Sequence, residues 1–225
     1  MNGWTPPHHA PASLDGIRGR LDLLRQVEAE HGFGVVLDAP DDPASVIPEL
    51  PGAVGEGLAG AFSLIERLEG TYFRFQRPNE AAGPDAWAGR RRLPECPMGN
   101  PLTVGVELLS TAKSPEMWEY GERLVMDVDD GVVYFLDSDD YVWLCRTPDD
   151  DTVEFPDLAP DLVTFFHDIV LGPGYPLLVD TVLGPKARTA VNRKRAYKDT
   201  WMRLLIAAGL LSAADAAAVP GETPG

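Results

Sequence analysis

The stretch GERLVMDVDDGVVYFLDSDDYVWLCR, residues 121–146, decides the fold. Arg123 to Val128 (RLVMDV) alternates as a half-buried strand does. Asp130-Gly131 is a strong short-range hairpin signal, because glycine tolerates the positive φ of a type I′ turn. Val132 to Leu136 then returns as a second strand. Asp137-Ser138-Asp139-Asp140 reads as another turn, and Tyr141 to Arg146 as the third strand of an antiparallel meander. On that third strand Val142 and Leu144 are expected on one face, and Tyr141, Trp143 and Cys145 on the other.

Working outward toward the C-terminus, the acidic loop Asp149-Asp150-Asp151 leads to a helix. Pro160 suits its first position and Asp161 the positive end of its dipole. Leu162, Phe165, Phe166, Ile169 and Val170 form its apolar stripe, and Gly172 closes it. A long final helix is expected from about Pro185 to Ala208, with Ala187, Ala190, Val191, Tyr197, Trp201, Leu204 and Leu205 on one face and Gly209 at its end. Toward the N-terminus, Ser13 can cap a helix that runs to His31 and stops at Gly32, with Leu14, Ile17, Leu21, Leu24 and Val27 inward. Phe33 to Leu37 reads as a short strand. A loop with four prolines spans 38–53, a helix Val54 to Leu68, a strand Thr71 to Gln76, and a further strand Leu102 to Leu109. Between these last two lies a Pro/Gly/Arg-rich excursion, 77–101, with a basic knot at Arg90-Arg91-Arg92. The expected fold class is α+β: an antiparallel-rich sheet meander flanked by helices, with an added long C-terminal helix. The organisation expected is a flexible arm over 1–12, one α+β domain over 13–180, a helical extension over 181–211 packed on it, and a frayed tail over 212–225.

Composition narrows the function. The 225 residues are 44% apolar, enough for a sizeable core, and the 43 glycines and prolines cluster in loops. The formal net charge of −16 disfavours nucleic acid and anionic membranes as partners and favours basic proteins. The two cysteines, Cys96 and Cys145, form no disulfide framework. The N-terminus lacks the pattern of a signal peptide, and no apolar run reaches membrane-spanning length, so a cytoplasmic location is expected.

Motifs for chemistry are missing. No GxxxxGK[ST] or GxSxG pattern occurs, and the GxGxxG spacing of Gly55, Gly57 and Gly60 falls inside the helix expected over Val54 to Leu68. The four histidines, His8, His9, His31 and His167, have no HExxH-like neighbours, and His167 reads as a boundary residue of its helix. Asp137, Asp139 and Asp140 resemble a fragment of a calcium loop but lack its central glycine and its terminal glutamate, so turn chemistry explains them. No catalytic residue, cofactor or metal is assigned.

Charge is distributed unevenly. From Glu107 to Asp168 there are 17 acidic residues against Lys113, Arg123 and Arg146, a balance of −14; from Gly184 onward seven basic residues face three acidic ones, +4. The basic set is Lys186, Arg188, Arg193, Lys194, Arg195, Lys198 and Arg203, read as the polar face of the last helix packing on its own acidic domain. The candidate partner-binding residues are Asp137, Asp139, Asp140, Tyr141, Trp143, Asp149, Asp150 and Asp151: aromatic anchors ringed by charge.

The segment 121–146, followed by FPDLAPDLVTFFHDIVLG at 155–172, resembles the C-terminal half of the SUKH superfamily. In that family a strand passes through an acid-glycine turn to a second strand and then a third. A short LA-containing segment then opens a helix with an apolar residue followed by phenylalanine, matched here by Leu158-Ala159, Leu162, Phe165 and Phe166. The family's Leu-Pro and Asn-Gly signature in the N-terminal half is not recognisable. The resemblance implies a sheet flanked by helices and a role as a bacterial immunity protein, an antitoxin that neutralises a toxin, often a nuclease, by direct binding. It carries over no catalytic residues. An acidic inhibitor suits a basic nuclease. The alternatives are an accessory enzyme using Asp127, Asp137 or His167 as an acid or base, and a regulatory scaffold.

Overall fold

The computed structural model describes residues 11–42, 52–77, 101–109, 122–137, 139, 140, 143, 147 and 155–218. Residues 1–10 of the arm expected over 1–12, residues 78–100 of the excursion expected over 77–101 with its basic knot, and Tyr141, Asp149, Asp150 and Asp151 lie outside the described residues.

Helix α1 (Leu14–His31) begins where the Ser13 hydroxyl accepts the Gly16 N–H at 3.1 Å and ends at Gly32, whose φ of 63° returns its N–H to the Glu28 carbonyl. Ile17, Leu21, Leu24 and Val27 bury one face, as the spacing expects. The Glu28 carboxylate then accepts the amides of Phe33, Gly34 and Val35 and turns the chain into β1 (Val36–Asp38). After α2 (Gly52–Phe62) come β2 (Arg67–Glu69), β3 (Phe73–Gln76), β4 (Pro101–Glu107), β5 (Arg123–Asp127), β6 (Val133–Leu136) and β7 (Asp157–Ala159). These seven strands form one sheet in sequence order, each antiparallel to the next. The fold is α+β.

Leu124 and Met126 on β5 and Val133 and Phe135 on β6 join the helix-side core, whereas Val125, Tyr134 and Leu136 are buried on the opposite face. A bulge in β4 between Thr103 and Gly105 switches its alternation. It turns Gly105 toward the core, where an added Cβ would stand 2.6 Å from the Phe75 ring.

The helices cover one face. Helix α3 starts as an α-turn at Leu162–Thr164, capped by the Asp161 carboxylate on the Thr164 N–H, and widens into a π-helix over Phe165–Val170. Pro160 therefore precedes the cap. The π-turn frees carbonyls, and long side chains satisfy them. Arg20 donates to the His167 and Leu171 carbonyls, and the Trp201 indole donates to Val170 at 2.8 Å. Then follow α4 (Tyr175–Leu183), α5 (Pro185–Arg188), α6 (Thr200–Ala207) and α7 (Ala213–Ala217). Arg188, itself buried, holds Asp180 at 2.7 Å and the Ala216 carbonyl at 2.9 Å, which ties α7 to the body. Residues 213–217 are thus an ordered helix where fraying is expected, and the boundary expected at 181 falls inside α4.

Five further sequence expectations are corrected. The helix expected to Leu68 ends at Phe62, where the Ser63 hydroxyl donates to the Gly60 carbonyl, and Leu68 is a strand residue in the core. The hairpin after β5 is no two-residue turn: Gly131, at φ 86°, sends its N–H back four residues to the Asp127 carbonyl. The third meander strand is not at 141–146. Asp139, Asp140 and Trp143 are helical, Thr147 N–H bonds the Trp143 carbonyl at 2.9 Å, and the strand beside β6 is β7. The Asp137 carboxylate accepts the Asp139 and Asp140 amides, so the expected turn is a helix cap. Finally, the long C-terminal helix breaks after Arg188. The Asn192 side chain accepts the Lys194 and Ala196 amides, competing with helical bonds, and Val191 pairs with Tyr197.

Two glycines of α1 make opposite predictions. Gly19 is exposed with open space around it, so Gly19→Ala is expected to stabilise by about 0.5–1 kcal/mol through helix propensity. At Gly16 a Cβ would lie 2.6 Å from His167 Nε2, so Gly16→Ala is expected to destabilise by about 1–3 kcal/mol. Urea midpoints of the two variants should move in opposite directions; parallel shifts would mean that His167 does not pack on α1.

Candidate functional site

The β5–β6 hairpin is shaped by its own acids. Asp127 Oδ1 accepts the Asp129 N–H at 2.7 Å, and Asp130 Oδ1 accepts the Val132 N–H at 2.9 Å. These bonds hold both carboxylates at the mouth of an open groove of about 260 Å³, lined by Asp127, Asp130, Val132, Tyr134, Phe155 and Asp157. Asp157 enters from β7, opposite Tyr134 in the register. The Tyr134 and Phe155 rings lie 6.0 Å apart, tilted at 50°.

Three carboxylates around two aromatic rings are chemically suited to one cationic side chain. A guanidinium or ammonium can donate charge-assisted hydrogen bonds to the carboxylates while its stem or face rests on the rings. The volume falls just below the range of small-molecule cavities, about 300–1,000 Å³, so an inserted side chain suits it better than a whole metabolite. Among the described residues no group of three or more His, Cys, Asp or Glu side chains is arranged to hold a metal ion.

The described members of the sequence-expected site lie elsewhere. Asp137 follows β6 at the end away from the hairpin, with its carboxylate engaged as a cap. Asp139 and Asp140 are exposed, and Trp143 is 51% exposed. In a helical stretch Trp143 stands three and four residues after these acids, so the three share a face. The exposed aromatic beside charge is therefore present, carried by a helix rather than a strand. Sequence reasoning misses the groove because Asp127 reads as a strand residue and Asp130 as part of the turn. The signal that marks it is Tyr134, whose strand position puts it on the face opposite Val133 and Phe135.

The acid–base candidates do not converge. Asp127 lines the groove, and Asp137 is at the other end of β6. His167 is buried rather than at a boundary, with Nδ1 2.6 Å from Asp168 Oδ1 and its ring edge against Gly16.

A second titratable cluster lies under α6. Asp199 is 1% exposed and caps α6 by accepting the Trp201 N–H at 3.0 Å. Burial raises its carboxyl to about 6, against the opposing pull of the Tyr175 hydroxyl, the Trp201 and Met202 amides and the Arg203 charge. Burial likewise pushes the enclosed Tyr175 hydroxyl well up, with Asp199 adding to it. Tyr72 donates to the Ala187 carbonyl at 3.1 Å and is raised for the same reasons. These groups sit within the packed body, and their clearest consequence is for stability.

No single helix among the described residues is long and apolar enough to cross a membrane. Comparison with protein-family models, with curated proteins and with solved structures found no match to this chain.

Proposed function

We propose that this chain is a non-catalytic protein-binding module of the SUKH immunity type, which neutralises a basic bacterial toxin, such as a nuclease, in the cytoplasm. The observation that carries the reading is the hairpin groove, where Asp127, Asp130 and Asp157 surround Tyr134 and Phe155. A basic nuclease presents lysines and arginines where it holds phosphates, and a carboxylate groove accepts the same side chains. The exposed Trp143 beside Asp139 and Asp140 supplies a second contact of the kind that dominates interface energetics. A net charge of −16 speeds encounter with such a partner.

The test is co-production with the polypeptide encoded beside this chain, reading growth protection and association kinetics. Asp127→Asn/Asp130→Asn keeps the oxygen atoms that bond the hairpin amides while removing two charges. It is expected to slow association about 10-fold or more at low salt, with little change at high salt. Trp143→Ala is expected instead to speed dissociation about 10-fold. A neighbouring toxin that is neither bound nor neutralised would sink the proposal.

A further inference from the structure

The break in the expected C-terminal helix builds a feature of its own. Residues 190–198 form a tongue closed at its base by the Lys198 N–H on the Ala190 carbonyl at 2.8 Å and by the Val191–Tyr197 bridge. Its tip is fixed by Asn192, whose side-chain oxygen accepts the Lys194 and Ala196 amides at 2.8 and 3.2 Å. Arg195 sits at the tip with a φ of 63°, a conformation that side-chain-bearing residues seldom adopt. Arg193, Lys194, Arg195 and Lys198 are all exposed, with Lys186 exposed nearby in sequence, and none of them pairs with a carboxylate among the described residues. Val191, 47% exposed, adds an apolar contact. A chain of net charge −16 therefore carries an ordered basic projection that its described residues do not neutralise.

Topology keeps this tongue away from the chain's own acidic groove. The Thr71 hydroxyl, in the β2–β3 turn, bonds the Lys198 carbonyl and the Thr200 side chain, which fixes the tongue at that end of the sheet. The groove belongs to the β5–β6 turn. In an antiparallel meander with this register those two turns lie at opposite strand ends. They are three strands apart, so strand spacing and strand length together separate them by roughly 20 Å. That exceeds the screening length of about 8 Å at physiological ionic strength, so the two poles do not neutralise each other.

We propose that the tongue of one copy docks into the acidic groove of a second copy, giving a salt-sensitive head-to-tail self-association. Arg193, Lys194 and Arg195 supply the cations, and Asp127, Asp130 and Asp157 receive them beside Tyr134 and Phe155. A second copy is favoured over nucleic acid because, although both carry net negative charge, a copy presents a groove of three carboxylates and two rings to the basic tip, and head-to-tail alignment brings opposite poles together at short range. The contact is heterologous, so it propagates into open chains or closes into rings. The inference rests on the groove's preference for cations stated above. It makes the groove self-occupied in concentrated protein and vacated for a tighter basic partner.

The test is sedimentation of the pure 225-residue chain over a range of concentrations. Its mass should rise above 24.4 kDa with concentration at about 0.1 M salt and return to one chain near 1 M, where screening shortens from about 10 Å to about 3 Å. Two variants should each stay monomeric: Arg193→Gln/Lys194→Gln/Arg195→Asn, with asparagine tolerating the left-handed tip, and Asp127→Asn/Asp130→Asn. Mixed in equal amounts they retain one intact tongue and one intact groove, so a dimer near twice 24.4 kDa should form and go no further. A wild-type chain that stays monomeric throughout, a tongue variant that still associates, or a mixture that remains monomeric overturns the proposal. Capture of a single-stranded oligonucleotide by the wild type but not by the tongue variant would assign the tongue to nucleic acid instead. Self-association and toxin neutralisation fail separately, since one is read on the pure chain and the other on the encoded neighbour.

Discussion

Replacing Phe165 by alanine is expected to cost about 4 kcal/mol, the cost of emptying a closed aromatic site. Phe165 is wholly buried at the point where α3 changes from α to π geometry. Its ring meets Phe75 of β3 at 5.9 Å and Phe166 at 5.5 Å, both edge-on. Phe166 in turn contacts Phe62 of α2 at 5.7 Å, so the rings join sheet, α2 and α3 in one cluster. Such ring pairs add about 0.5–1.5 kcal/mol each beyond area burial. Neighbours held by a widened turn and by one another's rings have little room to collapse, so the cavity persists. Phe165→Leu keeps much of the volume and should cost under about 2 kcal/mol. Against a typical stability of about 5–15 kcal/mol, the alanine variant should show a large drop in urea midpoint with an unchanged slope. A loss below about 1 kcal/mol would remove Phe165 from the centre of the core.

That residue is legible in the sequence because its helix is amphipathic and its acid cap precedes the stripe. The same combination makes α1 legible: Ser13, the three- and four-residue spacing, and Gly32 all point one way. Strands β3 and β5 are legible from alternation, and β4 and β6 from apolar, β-branched runs. The departures share one cause, which is side-chain hydrogen bonding that an apolar pattern does not register. Asp137 has the composition of a turn and acts as a cap, so alternation alone misassigns Trp143 to a strand. Asn192 sits in a stretch rich in helix formers, yet its carboxamide bonds two amides and folds the tongue. Asp199-Thr200 is a readable helix start that the expected long helix runs straight through. The π-helix has no local sequence signal, since it depends on Arg20 and Trp201 reaching α3 from distant positions.

The candidate site is legible in kind and not in place. Acidic residues with an aromatic anchor are expected around 137–151, and Trp143 is exposed there with Asp139 and Asp140. The groove instead gathers Asp127 and Asp130 from a hairpin and Asp157 from β7, and only the pairing of β6 with β7 brings the third acid beside the first two. Spacing along the chain carries no sign of that pairing, because residues 141–146 read as a strand and claim the place beside β6 that β7 takes.

Asp199→Asn is expected to stabilise the protein at neutral pH and to lose that advantage in acid. The Asp199 carboxyl is raised from 3.8 to about 6, chiefly by burial. A raised carboxyl means that the folded chain holds this proton more tightly than the unfolded chain does. Between about pH 4 and pH 6 the folded state therefore binds more protons, and this group's contribution to stability falls as pH rises through that window. Above about pH 6 the whole cost of keeping an ionised carboxylate buried is present, roughly 3 kcal/mol for a shift of about two pH units. Asparagine caps a helix about as well as aspartate, so its oxygen can still accept the Trp201 N–H. Its amide can turn toward the Tyr175 hydroxyl, which lies close enough to lower the wild-type carboxyl. The cap survives and the buried charge is gone. The expected gain is about 1–3 kcal/mol at pH 7.5, shrinking toward zero near pH 4, where the wild-type carboxyl is protonated. Other carboxylates titrate over the same range, so the quantity to measure is the difference between wild type and variant, by urea denaturation at several pH values. Asp199→Ala separates charge from cap: it removes both, leaves the buried Trp201 N–H without its acceptor, and should be less stable than Asp199→Asn at every pH. A difference between wild type and Asp199→Asn that does not change from pH 4 to pH 7.5 would show that this carboxyl is not raised by burial.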